Sequence, residues 1–333
     1  MGIKSLKALS EIYGFGMKLE SFPWSADHFL ETGDAHPDRM YDEYRQMNGI
    51  YLGALGDPRV ETGFMERSII GGIRFNLDLF VNLRPIKLYA EHLCPLKGKG
   101  PEHIDAVIVR ENTEDAYTGI GGIFQKDTDN EVAVATMLYT RKGVERVIRY
   151  TFEECVKRGR KRVTLVDKAN AIRPQDIWTR LFAKVAAEYP DIETDHMYID
   201  AACMWMVKNP EWFDMAVMPN IFGDILTDLG AMIQGGLGIA ASGNLHPGQV
   251  SMFEPIHGSA PKYKGKNVAN PLAAINAALM MLDYVGEKEA AATGEKAIAD
   301  LLGSGRVESL SAGALPCDKI GDMVVEEVRK ISG

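Results

Sequence analysis

Apolar residues recur along this chain with two different periods. Ile3, Leu6, Ala8, Leu9 and Ile12 follow the period of a helix, and Gly14 stands where that helix should stop. Beyond it, short β-rich runs alternate with amphipathic stretches. The pattern predicts strands at Met17–Phe22, Ile50–Leu55, Leu79–Leu88, Ala106–Arg110, Val132–Tyr139, Val163–Val166 and Met215–Met218. Between them it predicts helices such as Gly143–Lys157, Gln175–Glu188 and Ile221–Ile233, and a mainly helical tail from Pro271. Alternation of this kind predicts an α/β fold with a largely parallel sheet covered by helices. No repeat, low-complexity tract or long linker interrupts it.

The chain has 333 residues, roughly two domains at about 150 residues each. With 46% hydrophobic residues it can bury a large core, so disorder is excluded. A net charge of −9 and no Lys/Arg block argue against nucleic acid or an anionic membrane as partner. Cys94, Cys155, Cys203 and Cys317 stand apart, which disfavours a zinc ribbon or redox pair and suits reduced cytoplasmic thiols. The most apolar stretch, Ala273–Leu282, is broken by Asn276 and too short to span a bilayer. Met1 onward shows no signal-peptide core, and Leu6 stands where a myristoylation site needs Ser or Thr. A cytoplasmic globular protein is expected.

Three groups of residues could carry chemistry. Asp224 and Asp228, four apart in a predicted helix, project from one face. Their mutual repulsion among apolar neighbours suggests a counter-ion, and oxygen-only ligands select Mg²⁺ or Mn²⁺. A solvated helix face is the competing reading. Arg84 and Arg110 end apolar runs, and Arg74 joins them; guanidinium forks at strand ends suit a small di- or tricarboxylate, although ordinary strand-end ion pairs would look the same. Lys168 follows a hydrophobic strand in Val-Asp-Lys-Ala-Asn. Desolvated beside other cations it could serve as a base; otherwise it is a surface lysine. Gly236-Leu-Gly238-Ile-Ala-Ala241 imitates the dinucleotide fingerprint but follows a helix, so a tight turn and close packing are expected instead.

Four longer segments carry a resemblance: Arg-Glu-Asn-Thr-Glu-Asp-Ala-Tyr at 110–117, Asp-Lys-Ala-Asn at 167–170, Asn-Ile-Phe-Gly-Asp-Ile-Leu-Thr-Asp at 220–228 and Glu-Pro-Ile-His-Gly-Ser-Ala-Pro at 254–261. In their order and spacing the chain resembles the isocitrate/isopropylmalate dehydrogenase family of β-decarboxylating dehydrogenases, over nearly its whole length. The resemblance implies a non-Rossmann, isopropylmalate dehydrogenase-like two-domain fold. It places residues 1–79 and 235–333 in a large cofactor-binding domain and 80–234 in a smaller domain carrying the dimer interface. The family's first strand and its Gly-Asp-Gly-Ile-Gly loop have no match here.

By the same resemblance, Asp224 and Asp228 match metal ligands, joined by Asp200 from a partner subunit. Arg74, Arg84 and Arg110 match the clamp on the malate moiety. Lys168, also delivered across the dimer, matches the base and Tyr117 the acid. Asn170, Glu254, His257, Gly258, Ser259, Ala260, Lys262, Tyr263 and Asn270 match cofactor positions. The implied reaction is metal-assisted oxidation of a 3-substituted malate, with hydride passing to NAD or NADP and loss of CO₂.

Ser68 and Ile70 bear on the substrate. In isocitrate enzymes the matching positions are typically Ser and Asn, which hold a third carboxylate. Ile70 cannot donate a hydrogen bond and suits a branched alkyl group, whose burial is worth about 1.5–3 kcal/mol. Isopropylmalate is therefore expected ahead of isocitrate, tartrate and malate. A non-catalytic regulatory paralogue is the reading from another class, disfavoured because Lys168, Tyr117, Asp200, Asp224 and Asp228 are all present. For the cofactor, Lys262 and Tyr263 suit a 2′-phosphate, whereas Ala269 follows the NAD pattern and Val307–Cys317 lacks the Tyr and Arg of an NADP clamp. Dual or unresolved preference is expected.

Overall fold

A computed structural model describes residues 1–333. The chain forms two compact units. Unit one holds residues 1–79, 84–104 and 231–333, and unit two holds 80–83 and 105–230. Residues 84–104, expected in the smaller domain, belong to unit one, and several of their polar groups bond within it. The Lys87 N–H donates to Gln234 Oε1 at 2.7 Å, Lys87 Nζ pairs with Glu295 at 2.5 Å, and His92 Nε2 lies 3.1 Å from the Val307 carbonyl oxygen.

In unit one, α1 (Gly2–Tyr13) buries Leu6 and Leu9. It stops at Gly14, where φ of +74° lets the N–H turn back to the Ser10 carbonyl at 2.9 Å. Two short helices follow, α2 (Ala26–Thr32), capped by Ser25, and α3 (Met40–Tyr44). Residues 17–22 are not a strand, contrary to their pattern. Phe22 stacks on Trp24 at 6.4 Å and meets Tyr44 edge-on at 5.6 Å, so its apolar face is spent on an aromatic cluster rather than a sheet. β1 (Ile50–Tyr51) is shorter than predicted. A π-helical turn, Glu66–Gly71, then runs into α4 (Gly72–Asn76). The chain changes unit within β2 (Val81–Lys87).

Unit two contains β3 (Asp105–Glu111), β4 (Gly121–Phe124), β5 (Val132–Ala135), α5 (Arg141–Lys157), β6 (Arg162–Asp167), α6 (Asp176–Ala186), β7 (Glu193–Tyr198), α7 (Ile199–Lys208), β8 (Met215–Met218) and the start of α8 (Asn220–Ile233). Strands β3, β8, β6 and β7 pair in that order, all parallel, with registers Arg110↔Met218, Leu165↔Val217 and Asp167↔Tyr198. α5 buries Val144, Val147, Ile148 and Phe152, while α6 buries Trp178, Leu181 and Val185. Because the four strands are parallel and aligned, the residues at or just after their carboxyl ends share one edge of the sheet. Arg110, Lys168, Asp200 and Asn220 lie there, the edge where open α/β sheets place ligands. β4 and β5 instead form an antiparallel ribbon, Gly121↔Ala135 to Phe124↔Val132, exposed along its length.

The chain returns to unit one through β9 (Ala241–Leu245), antiparallel to β10 (Met252–Pro255), which pairs in parallel with β1. Three helices close the unit: α9 (Leu272–Val285), α10 (Lys288–Gly303) and α11 (Cys317–Ser332). Leu6, Leu9, Ile275, Leu279, Ile298, Leu301, Val324 and Val328 form its core. The glycine string is a turn, as expected. Gly236 has φ of +108°, and a Cβ on Gly238 would come within 3.0 Å of Asn270.

Candidate active site

Unit two assembles its polar residues around α8. Arg110 is 2% exposed although charged, so its guanidinium must be paired. Its Nε donates to Asn220 Oδ1 at 2.9 Å and its Nη1 pairs with Asp224. The Tyr117 hydroxyl donates to the other oxygen of Asp224 at 2.8 Å, and the Tyr117 ring centre lies 5.3 Å from the Arg110 guanidinium. Gly223 makes this possible. A Cβ there would fall 2.4 Å from Arg110 Cγ, so the arginine could not cross the helix. Asn220 Nδ2 also donates to the Glu114 carbonyl at 3.1 Å. One turn on, Asp228 is exposed, so apolar neighbours do not shield both carboxylates as the sequence suggested.

Lys168 and Asp200 meet at the ends of β6 and β7. Nζ lies 2.6 Å from Asp200 Oδ1 and 5.9 Å from the centre of the Tyr198 ring. This hydrogen bond, with help from the Asp200 N–H, holds the Asp200 carboxyl below the usual carboxylate range. The group beside Lys168 is thus an anion, not the cations that its proposed role as a desolvated base first suggested. Asn170 is exposed in the turn that follows. Upstream, Glu111 is pushed up to about 6 by burial, despite accepting the Thr113 and Glu114 N–H groups.

The other residues lie in unit one. Arg74, on α4, stands 3.3 Å from Glu254, which also accepts from Asn244 at 2.8 Å. Arg84 is 7% exposed and sits within β2, three residues before its end, inside the predicted strand Leu79–Leu88 rather than at a strand end. Ser68 and Ile70 occupy the π-helical turn, with Ile70 half-buried against Ile69 and its cluster. The Ser259 N–H donates to the Leu55 carbonyl at 3.0 Å and its hydroxyl to Gly56 O. His257 Nδ1 lies 3.0 Å from the Gly258 oxygen, and Ala260, at φ +44°, leads into the single turn Pro261–Tyr263. Lys262 Nζ stands 4.9 Å over the Tyr263 ring, while Lys264 pairs at 3.3 Å with Asp27, which also takes Arg59. Asn270 accepts the Leu272 N–H at 2.9 Å.

No group of three or more His, Cys, Asp and Glu side chains in the single chain could hold a metal ion. All four cysteines are free thiols. No helix is long and apolar enough to cross a membrane.

Several residues at the site were not singled out from sequence. Asn220 lay inside a matched segment yet received no role. Asp115 also lay inside a matched segment without a role, and Tyr198 meets Lys168 across the β6–β7 pair, a contact that no local signal marks.

The family described as Isocitrate/isopropylmalate dehydrogenase matches residues 1–324. The chain belongs to that family, and is a decarboxylating dehydrogenase. A 3-isopropylmalate dehydrogenase of Thermobifida fusca is 42% identical over 330 residues, covering 98% of this chain and 92% of the relative. One from Frankia casuarinae is 47% identical over 280 residues, covering 83% and 81%. A crystal structure of isocitrate dehydrogenase from Methylococcus capsulatus superposes with a TM-score of 0.88 at 34% identity, covering 98% of this chain and 95% of that one.

Proposed function

We propose that this protein oxidises and decarboxylates 3-isopropylmalate, passing hydride to a nicotinamide dinucleotide. The similarity to relatives of that name over most of both chains carries the reading. Ile70 supports it, because an apolar side chain favours an alkyl substituent over a third carboxylate.

The roles follow from chemistry. Arg74, Arg84 and Arg110 are cationic forks for the substrate's carboxylates, with Ser68 and Ile70 facing its substituent. Lys168 takes the hydroxyl proton as hydride leaves the same carbon. The resulting β-keto acid loses CO₂, and the Tyr117 hydroxyl returns a proton to the carbon left behind. Asp224 and Asp228 supply only oxygen donors, one turn apart, which fits Mg²⁺ or Mn²⁺ once a third carboxylate joins them. When bound, such a cation supplies Lewis acidity toward the substrate's oxygens.

Asp200 is that third carboxylate, and we assign it to a second copy of the chain, together with Lys168. Apolar side chains exposed on unit two support a homodimer: Phe124 and Val132 on the ribbon, Met204 on α7 and Ile225 on α8. The loop His257–Ala260, Asn170, Glu254 and Asn270 would hold the dinucleotide. Lys262 and Tyr263 add a preference for NADP that competes with the NAD habit of the family. A cytoplasmic setting suits the free thiols.

Steady-state rates with Mg²⁺ on isopropylmalate, isocitrate, tartrate and malate test the reading. The highest kcat/KM is expected for isopropylmalate; a higher value for isocitrate would reverse the assignment.

A further inference from the structure

A line of buried and half-buried polar groups in unit two has no place in the chemistry above. Gln175 is fully buried at the end of a one-turn helix leading into α6. Its Oε1 accepts the backbone N–H of Lys168 at 2.7 Å, and its Nε2 donates to the Tyr139 hydroxyl at 2.8 Å. That hydroxyl donates to Asp115 Oδ1 at 2.8 Å. Asp115, also fully buried, uses Oδ2 to accept the Ile221 N–H at 3.0 Å, in the first turn of α8.

The directions of these bonds are fixed. A backbone N–H only donates and a carboxylate only accepts, so the amide and the phenol between them have one orientation that satisfies every atom. Burial, the largest of the causes acting on Tyr139, pushes its phenol further above the usual range, so a group already protonated near neutral pH remains a donor. Asp115 is pinned further. Its φ of +70° is unusual for a side chain, and its N–H is tied to the Leu138 carbonyl at 2.8 Å, next to Tyr139. It immediately precedes the turn that carries Tyr117.

We propose that Gln175 and Tyr139 are positioning residues, which tie the backbone of Lys168 to the segment of its own chain bearing Tyr117 and Asp224 and so fix where that lysine is presented to the neighbour's site. Both ends of the line support this. One end is the backbone of the base itself; the other is three residues before Asp224 and two before Tyr117. The inference rests on the roles proposed for those three residues. In a shared-site dimer it has a consequence: the base lent to the neighbour and the helix kept at home move as one polar unit.

Three variants test it: Tyr139→Phe, Gln175→Met and the two combined. Hydride transfer is followed by nicotinamide absorbance in single turnovers, with KM for the acid and the dinucleotide measured alongside. Each single variant should slow hydride transfer about tenfold to a hundredfold, the scale of a small misplacement of reacting groups. Both KM values should stay within about twofold. The combined variant should be no slower than the worse single, because a broken line is already broken. The isotope effect on transfer from a substrate deuterated at the reacting carbon should rise.

Rates within about twofold of the parent, KM rising while kcat stands, or losses that multiply in the double variant would each overturn the proposal. Should Gln175→Met fail to fold, Gln175→Glu keeps the acceptor for Lys168 but not the donor for Tyr139, and should slow transfer in the same way. Lys168→Met is the control on the underlying reading. If it stays active, the assignment of the base fails. If it is inactive while the relay variants are not, only the relay fails.

Discussion

α8 and α9 are each 14 residues long and rich in apolar side chains, yet the protein uses them in opposite ways. α9 buries Leu272, Ile275, Ala278 and Leu279 in the core of unit one. α8 leaves Ile225 and Met232 more than half exposed, and on the same helix carries Asp224 and Asp228. A helix apolar on several faces belongs inside a protein. α9 meets that condition within one chain, whereas α8 combines exposed apolar side chains with carboxylates, the combination that the proposed dimer interface and site require. Hydrophobicity alone does not separate the two helices; the acidic pair does.

The largest contrast should come from chemistry. Asp224→Asn or Lys168→Met should lower kcat by about a thousandfold or more, the scale of losing an acid–base or metal group, with circular dichroism unchanged. In α9, Ile275→Ala should cost about 2–5 kcal/mol of stability, because it opens a cavity in a packed core. Ile225→Ala in α8 should change the stability of the isolated chain by less than about 0.5 kcal/mol, and show its effect in sedimentation as weaker assembly. Equal losses at the two positions would erase the distinction between core and interface.

A smaller effect should appear with pH. Burial raises Glu111 to about 6, above its unfolded value, so the folded state binds the extra proton. The cost of charging Glu111 is therefore absent below about pH 4.5, develops up to about pH 6 and is fully present above it. Glu111→Gln should gain about 2 kcal/mol on the parent between about pH 4 and pH 7 in denaturant titrations. A constant difference would mean that the carboxyl is not desolvated. Lys262→Asp should move the kcat/KM ratio toward NAD by about tenfold, as loss of one charge-assisted phosphate contact implies. An unchanged ratio would leave Lys262 a surface lysine on the Tyr263 ring.

Local pattern made part of this fold legible. α1 and its glycine stop, the strands at 81–87, 105–111 and 162–167, and α5, α6 and α8 all follow from periodicity and caps. β7 does not, because Glu-Thr-Asp-His-Met-Tyr is polar and largely exposed at the end of its sheet. β9 does not either: Ala-Ser-Gly-Asn-Leu is fully buried but reads as a turn. Residues 17–22 mislead in the opposite sense, since aromatic packing uses the same apolar positions as a strand. The site divides similarly. Asp224, Lys168 and Arg110 stand in recognisable segments, whereas the line through Asp115, Tyr139 and Gln175 is joined by bonds spanning 24 to 106 residues, which no local pattern encodes, and only its last link, Gln175 to Lys168, spans as few as 7.

The most direct test of the contrast between the helices is complementation. Lys168→Met and Asp224→Asn proteins, each inactive, are dissociated, mixed and reassembled. If α8 faces a second copy that lends Lys168 and Asp200 to its carboxylates, each mixed dimer contains one site with both residues intact. Activity should then return to about a quarter of the parent rate on random re-pairing. Mixed dimers that form but remain inactive would show that each site is built from one chain, and would contradict the account.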